Sequence, residues 1–232
     1  VDDPRIRPFL HKMGLQKQEP RVDVPFGDAE AAELRQQVAA LGEARAGAGQ
    51  GESPVFYVTL GSGIGGGLVI DGELYHGASP TETEIGHVRL SPAGETLESR
   101  CSGWAVDRRL REYVQANPSS PLTKPLAKRE GGEARHWLKA IEKGDEGARA
   151  MFSDVCREFA FGLSHVVHLM NPTVIILGGG LSNLGEPLRG GVESALGQAI
   201  MEVLRPGPSV RLAKLAEDAV PVGALHLALT SG

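Results

Sequence analysis

The sequence of 232 residues is poor in cysteine, in aromatic side chains and in long apolar runs. Two cysteines, Cys101 and Cys156, are too few for a disulfide framework or a metal cluster. The one apolar stretch of note, Val166–Leu177, is interrupted by histidine, asparagine and proline, so no transmembrane helix is predicted. Charged residues and a proline at positions 2–5 interrupt any apolar core at the amino terminus. No signal peptide is therefore predicted, and a cytoplasmic location is expected.

Positive charge is also in short supply. Lysine and arginine number 24 against 29 aspartates and glutamates, which gives a formal net charge of −5. This balance leaves no electrostatic footprint for nucleic acid or for an anionic membrane, and neither partner is expected. The apolar fraction of 41% and the charged fraction of 23% are typical of a soluble globular protein. The length allows one large domain or two small ones with a proper core.

Glycine, by contrast, is concentrated in one place. The segment Thr59–Gly67 holds five glycines in seven residues, directly after the apolar run Val55–Val58. This pattern predicts a strand that ends in a tight loop. Glycine allows close backbone approach, successive N–H groups can converge on an anion, and Thr59 and Ser62 add hydroxyl donors. Two interpretations fit: a phosphate-binding loop that points to nucleotide chemistry, or a glycine-rich hairpin with no ligand.

The residues around this loop argue against two common kinds of nucleotide-binding site. A Walker motif, with lysine before serine or threonine, is absent. The following segment, Leu68–Tyr75, consists of two apolar runs around Asp-Gly, which is typical of a β-hairpin and not of a strand-to-helix turn. A Rossmann unit and a P-loop unit are both disfavoured.

The rest of the chain alternates between helical and extended patterns. Residues 1–28 are rich in proline, arginine and aspartate and are predicted to form an irregular arm. Ser102 is a predicted helix cap. Strands are predicted at 173–177 and 209–215, the first ending at Gly178–Gly180. Helices are predicted at about 28–47, 103–115, 133–143, 145–169, 186–203 and from about 222.

Six collinear stretches resemble the ROK family, a bacterial group of glucokinases, other sugar kinases and sugar-responsive repressors. They are Ala39–Ala44, Thr59–Gly67, Glu84–His87, Leu97–Ser99 with Ser102-Gly103, Asn171–Gly180 and Pro221–Leu225. The resemblance implies an α/β fold of the actin-like (ribonuclease H-like) ATPase class, mainly its C-terminal lobe. It also implies three parts: an arm at 1–28, a helix remnant of an N-terminal lobe at 29–50, and a sugar- and phosphate-binding lobe at 51–232.

The resemblance assigns roles to individual residues. Glu84 and His87 of the Glu-x-Gly-His motif match sugar ligands of the family, and Glu98 matches a further one. ATP with Mg²⁺ is the implied cofactor, and the matching loop and adenosine-side residues are Thr59, Gly61, Ser62, Gly63, Gly65, Gly66, Gly178, Gly179 and Gly180. From the residues alone, other interpretations remain open: a capping glutamate with a surface histidine, a first-turn glutamate, and a strand-to-helix turn that only needs flexibility.

Three departures from the family pattern bear on activity. The N-terminal Asp-x-Gly-Gly-Thr phosphate motif is absent. The Asn-Asp-Ala-Asn motif, whose aspartate is the family's general base, is replaced by Leu-Arg-Gln-Gln at 34–37. Arg35 therefore occupies the position of the base, and because a guanidinium cannot accept a proton, no catalytic residue is assigned. The family's zinc-binding cysteine loop is missing between His87 and Glu98, so no zinc is expected.

The resemblance thus implies an ATP-dependent kinase of a hexose, such as glucose or an N-acetylhexosamine, that is N-terminally truncated and impaired. The alternative is a non-catalytic sugar-binding module. A sugar-responsive transcriptional regulator is less favoured, because residues 1–30 show no basic helix-turn-helix pattern. The expected partner is a small sugar. Homo-oligomers are common in the family, although no residue pattern here establishes one.

Overall fold

Five strands form one mixed sheet in the computed structural model, which describes residues 28–78, 82–128 and 130–230. The strands are β1 (Val55–Leu60), β2 (Ile64–Ile70), β3 (Glu73–Leu74), β4 (Val174–Gly178) and β5 (Ser209–Leu212). Their order is β3–β2–β1–β4–β5. The pairs β3–β2 and β2–β1 are antiparallel, and the pairs β1–β4 and β4–β5 are parallel. Thr59 pairs with Gly65 on one side and with Gly178 on the other. The two glycine turns that follow β1 and β4 therefore lie at the same edge.

The helices pack on both faces of this sheet. They are α1 (Asp28–Ala46), α2 (Leu97–Cys101), α3 (Gly103–Ala116), α4 (Thr123–Leu126), α5 (Trp137–Glu142), α6 (Glu146–Met170), α7 (Glu186–Ala199) and α8 (Ala219–Thr230). Short 3₁₀ helices lie at Ile85–His87, Glu133–His136, Gly180–Leu184, Glu202–Leu204 and Ala216–Asp218. The longest predicted helix, 145–169, is confirmed to within one residue. No helix among the described residues is long and apolar enough to cross a membrane.

Some predicted boundaries are wrong. The helix predicted at 133–143 is a 3₁₀ turn followed by α5, the one predicted at 186–203 ends at Ala199, and the last helix begins at Ala219. The glycine loop is shorter than predicted, because Gly65–Gly67 pair with β1 as part of β2. Here glycine serves packing, since a Cβ on Gly67 would lie 2.5 Å from Ala40 Cβ on α1. The predicted arm falls almost entirely on residues 1–27, outside the described residues.

The first face of the sheet is covered by α1 and α8. Its apolar side chains on the strands include Val55, Tyr57, Val174 and Ile176, all 5% exposed or less. The two helices cross at glycines: a Cβ on Gly42 or Gly223 would overlap backbone carbonyl oxygens of the opposite helix. The contact is thus backbone against backbone.

Glu43 is a buried carboxylate at the end of this glycine-packed face. It is fully buried on α1. Its two oxygens accept backbone N–H groups from Ala48 at 2.7 Å, Lys214 at 3.1 Å and Leu215 at 2.7 Å. These hydrogen bonds fix the segment between β5 and α8 to the end of α1. Glu43 therefore has a structural task in this chain.

The second face carries the larger apolar core. The strands contribute Phe56, Val58, Leu60, Ile175 and Leu177, and α6, α7 and the α3–α5 segment cover them. Trp137 is fully buried there, and its indole N–H donates to the Ala148 carbonyl at 2.9 Å. Cys101 and Cys156 lie in the same core as free thiols, and burial raises the pKa of each to about 12.

Side-chain caps fix where two helices of this face, α3 and α6, begin. The predicted cap is confirmed: Ser102 Oγ accepts the Ala105 N–H at 3.2 Å and begins α3. Asp145 begins α6 in the same way, accepting the Ala148 N–H at 3.0 Å. Because a side-chain acceptor satisfies N–H groups that a helix start leaves unpaired, these caps fix where each helix begins. The start of α3 is thereby placed beside the turn that follows β1.

Candidate functional site

The turn between β1 and β2 is fixed by backbone hydrogen bonds, one within the turn and one from α3. Gly61 N–H donates to the Gly63 carbonyl at 2.9 Å, and the Gly103 N–H at the start of α3 donates to the Gly61 carbonyl at 2.7 Å. Ser62, at the tip, is exposed. The amino-terminal end of a helix carries a partial positive charge. The turn and the start of α3 together therefore form an edge that favours an anion.

Glu98 is the predicted sugar ligand that the structure brings to this turn. It lies in the first turn of α2, and its Oε2 accepts the Ile64 N–H at 2.8 Å. A Cβ on Gly63 would lie 2.5 Å from the same oxygen. Glycine at 63 is thus required for the carboxylate to approach. The predicted phosphate loop and the predicted sugar ligand Glu98 are therefore in direct contact.

The other two predicted sugar ligands flank the 3₁₀ helix Ile85–His87. Glu84 is half-buried and His87 is exposed, while Ile85 between them is buried and anchors the segment. Gly86 packs directly on β2, because a Cβ there would overlap the Ile64 carbonyl oxygen and lie 3.4 Å from Glu98 Cβ. The Glu-x-Gly-His segment and Glu98 therefore adjoin the same residue at the start of β2. Their sugar-binding roles stay predictions.

Of the three glycines after β4, each has a different environment. Gly178 faces the Tyr57 hydroxyl, and Gly179, with a φ of +80°, packs so closely that a Cβ would lie 2.7 Å from the Leu60 backbone. Gly180 faces open space and begins the 3₁₀ helix Gly180–Leu184. Gly179 has a geometric reason to be glycine, and Gly180 leaves room for a ligand.

A cavity of about 520 Å³, here called the cleft, lies between these turns and the start of α3. Trp104 stands in its wall with 71% of its surface exposed, although large aromatic side chains are usually covered. The lining residues are Leu60, Gly61, Ser62, Gly103, Trp104, Asp107, Gly132, Ala134, Arg135, Leu138, Gly180, Leu181, Asn183 and Leu184.

Sequence reasoning found the glycines of the cleft but not Trp104, Asp107 or Arg135. A signal for Trp104 was available. In α3 the buried apolar residues are Ala105, Val106 and Leu110, and the tryptophan at 104 lies outside the apolar stripe that Val106 and Leu110 form. Arg135 had no such signal, because nothing local relates the 131–136 segment to the glycine turns.

Asp107 is a buried carboxyl in the wall of the cleft, and it holds the neighbouring loop in place. It accepts N–H groups from Gly132 at 2.7 Å and Ala134 at 3.0 Å. Burial, together with the adjacent Glu133 carboxylate, raises the pKa of Asp107 above its usual range. Burial acts against ionisation of Glu133 as well, but hydrogen bonds from a backbone amide and from Arg111 hold the pKa of Glu133 below its usual range. Asp107 therefore positions the loop that borders the cleft.

Helix α1 brings the stretch 34–37 against β2. The Gln36 side chain fills the space that a Cβ on Gly65 would need, and its buried Oε1 has no hydrogen-bond partner among the described residues. Arg35 beside it is exposed. No group of three metal-ligating side chains is assembled within residues 28–78, 82–128 and 130–230.

The chain is similar to known sugar kinases in sequence and in fold. A glucokinase from Thermotoga maritima is 34% identical over 195 residues, covering 81% of this chain and 62% of the relative. The N-acetylgalactosamine kinase AgaK from Shewanella sp. is 33% identical over 181 residues, covering 77% of this chain and 57% of the relative. The chain thus spans about three fifths of the length of these relatives.

Among solved structures, a ROK family glucokinase from Streptomyces griseus, in complex with glucose and AMPPNP, has a TM-score of 0.74. It is 32% identical, with 83% of this chain and 66% of that chain covered. The predicted actin-like ATPase fold is thereby confirmed, since this is the fold of the ROK sugar kinases. The sequence pattern of the ROK family matches residues 19–231. This chain belongs to the ROK family.

Proposed function

We propose that this chain supplies the sugar- and nucleotide-binding part of an ATP-dependent hexose kinase acting on glucose or an N-acetylhexosamine. The observation that carries the proposal is the hydrogen bond from Ile64 N–H to Glu98 Oε2 at 2.8 Å. It fixes a carboxylate, suited to sugar hydroxyls, at the end of a glycine turn that is suited to phosphate. A kinase needs these two groups side by side, because the transferred phosphoryl group and the accepting hydroxyl must meet.

On the sugar side, the proposal rests on how Glu98 is held. One of its oxygens accepts the Ile64 amide, and the other is left to accept a hydroxyl hydrogen bond. Glu84 and His87 extend the same edge by way of Gly86, which contacts Ile64. A site that pairs polar groups with hydroxyls discriminates strongly against a sugar lacking one of them.

On the nucleotide side, the cleft of about 520 Å³ is within the range of small-molecule sites. Backbone N–H groups at the glycine turn, the Ser62 hydroxyl and the start of α3 favour the phosphates. The exposed face of Trp104 offers a surface on which a purine base can stack. The residues present fit ATP, and Mg²⁺ delivered with it would neutralise phosphate charge.

Turnover by this chain is proposed to be impaired. The position of the family's general base carries Arg35, which is exposed on α1 and cannot accept a proton. A second function, sugar binding without catalysis, is favoured by this same residue. The two functions differ in one measurable property, the release of ADP.

Thermal unfolding with a panel of hexoses, each with and without Mg-AMPPNP, tests the binding proposal. A ligand at a hundred times its dissociation constant adds about 2.7 kcal/mol to the free energy of unfolding. We expect one hexose to raise the melting temperature, and the increase to disappear in Glu98→Gln. The control, Glu112→Gln, changes an exposed carboxylate on α3 and should keep the increase. No shift with any sugar or nucleotide would contradict the proposal.

ADP release then separates the kinase from the binding module. Arg35→Asp restores a carboxylate at the base position, and its rate is compared with that of the unchanged chain at saturating sugar and ATP. A gain in ADP release supports an impaired kinase. Sugar-dependent stabilisation without ADP release by either protein supports a binding module.

A further inference from the structure

A second cavity, of about 480 Å³, lies beside the cleft and is unusually basic. Six of its lining side chains are those of Lys124, Lys128, Arg135, His136, Lys139 and Lys143. In contrast, the chain as a whole has a formal net charge of −5. This cavity, here called the lysine cavity, shares only part of its wall with the cleft, including Gly132 and Arg135.

Most lysines of the described residues lie in this one cavity and are not spread over the surface. The described residues contain five lysines, and four of them line the lysine cavity; the fifth is Lys214. Arginine, which is far more numerous and is distributed over the whole surface, forms every Lys/Arg ion pair found among the described residues, as in Arg189 with Glu186 and Glu193. None of the four lysines is paired with a carboxylate in that part of the chain.

The spacing of the lysines places like charges together. Lys124 lies in α4 and Lys128 follows the end of that helix, while Lys139 lies in α5 and Lys143 follows its end. Like charges that are held near one another repel, and the repulsion grows as their separation falls. Within the described residues, the one acidic side chain of the lining, Glu133, is already bound to Arg111. Among the described residues, no carboxylate of the lining is therefore left to pair with the lysines.

The floor beneath these charges is apolar and firmly packed. Leu126 and Ala140 line it and are 8% and 2% exposed. The loop at its edge is fixed by Asp107, which accepts the Gly132 and Ala134 amides. The lysine stems thus surround a concave surface with a packed floor. Such a cavity can hold a small ligand with several charges, whereas a flat patch cannot enclose one.

We infer that the lysine cavity binds a small anion that carries two or more phosphate groups, at a site separate from the nucleotide cleft. Ammonium groups are effective phosphate ligands as point charges, and several of them around one cavity match several phosphates. Two sources share this chemistry, a free inorganic oligophosphate and a bisphosphorylated metabolite. The inference does not depend on the proposed kinase function, because the four lysines lie outside the cleft.

Titration calorimetry on the unchanged chain tests the inference, with inorganic tripolyphosphate and fructose 1,6-bisphosphate as separate probes. We expect one equivalent of at least one probe to bind, both alone and with the cleft saturated by Mg-AMPPNP. Lys124→Ala/Lys139→Ala should weaken that binding by about tenfold or more, since hydrogen bonds to charged groups contribute at this level. The matched control Lys214→Ala should bind as the unchanged chain does.

The outcomes are decisive because the lysines are exposed and their removal should leave the melting temperature nearly unchanged. A preference for tripolyphosphate identifies an oligophosphate site, and a preference for the bisphosphate identifies a metabolite site. Equal binding by the double variant and the unchanged chain would overturn the inference. Loss of all binding at physiological ionic strength, or full displacement by Mg-AMPPNP, would overturn it as well.

Discussion

The two faces of the sheet are stabilised by different means. On the α1 and α8 face, the helices approach so closely at Gly42 and Gly223 that backbone meets backbone, and a buried Glu43 ties the ends together. On the α6 and α7 face, the core consists of large apolar side chains such as Phe159 and Trp137. The stability of the first face depends on a few positions where only glycine or glutamate fits. The stability of the second face depends on apolar volume shared among many side chains.

This difference bears on the candidate site. Close packing by α1 brings Gln36 against Gly65 of β2. The apolar face sets the position of α3 and the 131–134 loop, and through them the cleft. A sugar site at the start of β2 is therefore sensitive to glycine geometry, and the cleft to caps and core volume.

Glu43→Ala should have the largest effect. It removes the buried acceptor for three part-buried backbone N–H groups, and a donor left unpaired away from water costs roughly 1 to 3 kcal/mol. We expect the free energy of unfolding to fall by more than about 3 kcal/mol. Urea denaturation measures this. Glu43→Gln, which keeps one acceptor oxygen, should lose less, and the exposed Glu142→Gln should change little; equal losses for Glu43→Ala and Glu142→Gln would contradict the assigned task.

Gly42→Ala should have the next largest effect, because its Cβ would overlap the Ala219 carbonyl oxygen. A loss of about 1 to 3 kcal/mol is expected from such overpacking. Gly190→Ala on α7 is the control, since its Cβ would meet nothing closer than 3.6 Å. It should gain about 0.5 to 1 kcal/mol from the helix preference for alanine.

Leu163→Met on the apolar face completes this comparison. Leu163 is fully buried on α6, and a volume-conserving change there should cost less than about 1.5 kcal/mol. The same urea measurement applies. If Leu163→Met is costlier than Gly42→Ala, the two faces do not differ as described.

Asp145→Asn should have a small effect that depends on pH. Burial acts against ionisation of Asp145, but hydrogen bonds from Ser120, Tyr113 and backbone amides lower its pKa below the usual value. The stabilisation is present above the unfolded-state pKa, about 3.9, and is lost as the pH falls through the lower native value. Because asparagine caps a helix about as well as aspartate, the loss at pH 7 should be about 1 kcal/mol, the difference between hydrogen bonds to a charged and to a neutral acceptor.

Unfolding free energies at pH 7 and pH 3 check this prediction. The difference between the unchanged chain and Asp145→Asn should be smaller at pH 3. Asp154→Asn changes an exposed carboxylate on the same helix and should show little effect at either pH. A constant difference across both pH values would contradict the role given to ionised Asp145.

Much of the fold follows from local patterns. The apolar spacing of α6 and the all-apolar run of β4 leave few alternatives, and Ser102 marks the start of α3. Gly65–Gly67 were harder to predict, because glycine in a loop and glycine under a packed helix look alike in sequence. Only the approach of Ala40 on α1 distinguishes them.

The individual motifs of the candidate site could be predicted from the sequence, but the contacts between distant segments could not. Glu98 and the glycine turn were predicted separately, although their contact across 34 positions was not. The cleft joins α3, the 131–136 segment and the turn after β4, so Arg135 gains its place through tertiary packing alone. The four lysines share a cavity for the same reason.

The parallel pairing of β1 with β4 has a consequence for synthesis of the chain. Val55 pairs with Val174, so β1 can form its hairpin with β2 long before its second neighbour leaves the ribosome. Until then the edge of a strand composed of Val-Phe-Tyr-Val-Thr-Leu stays open to other chains. Pairing over such a distance is intrinsically slow. We therefore expect the growing chain to be most prone to aggregate through this edge in the interval before β4 emerges.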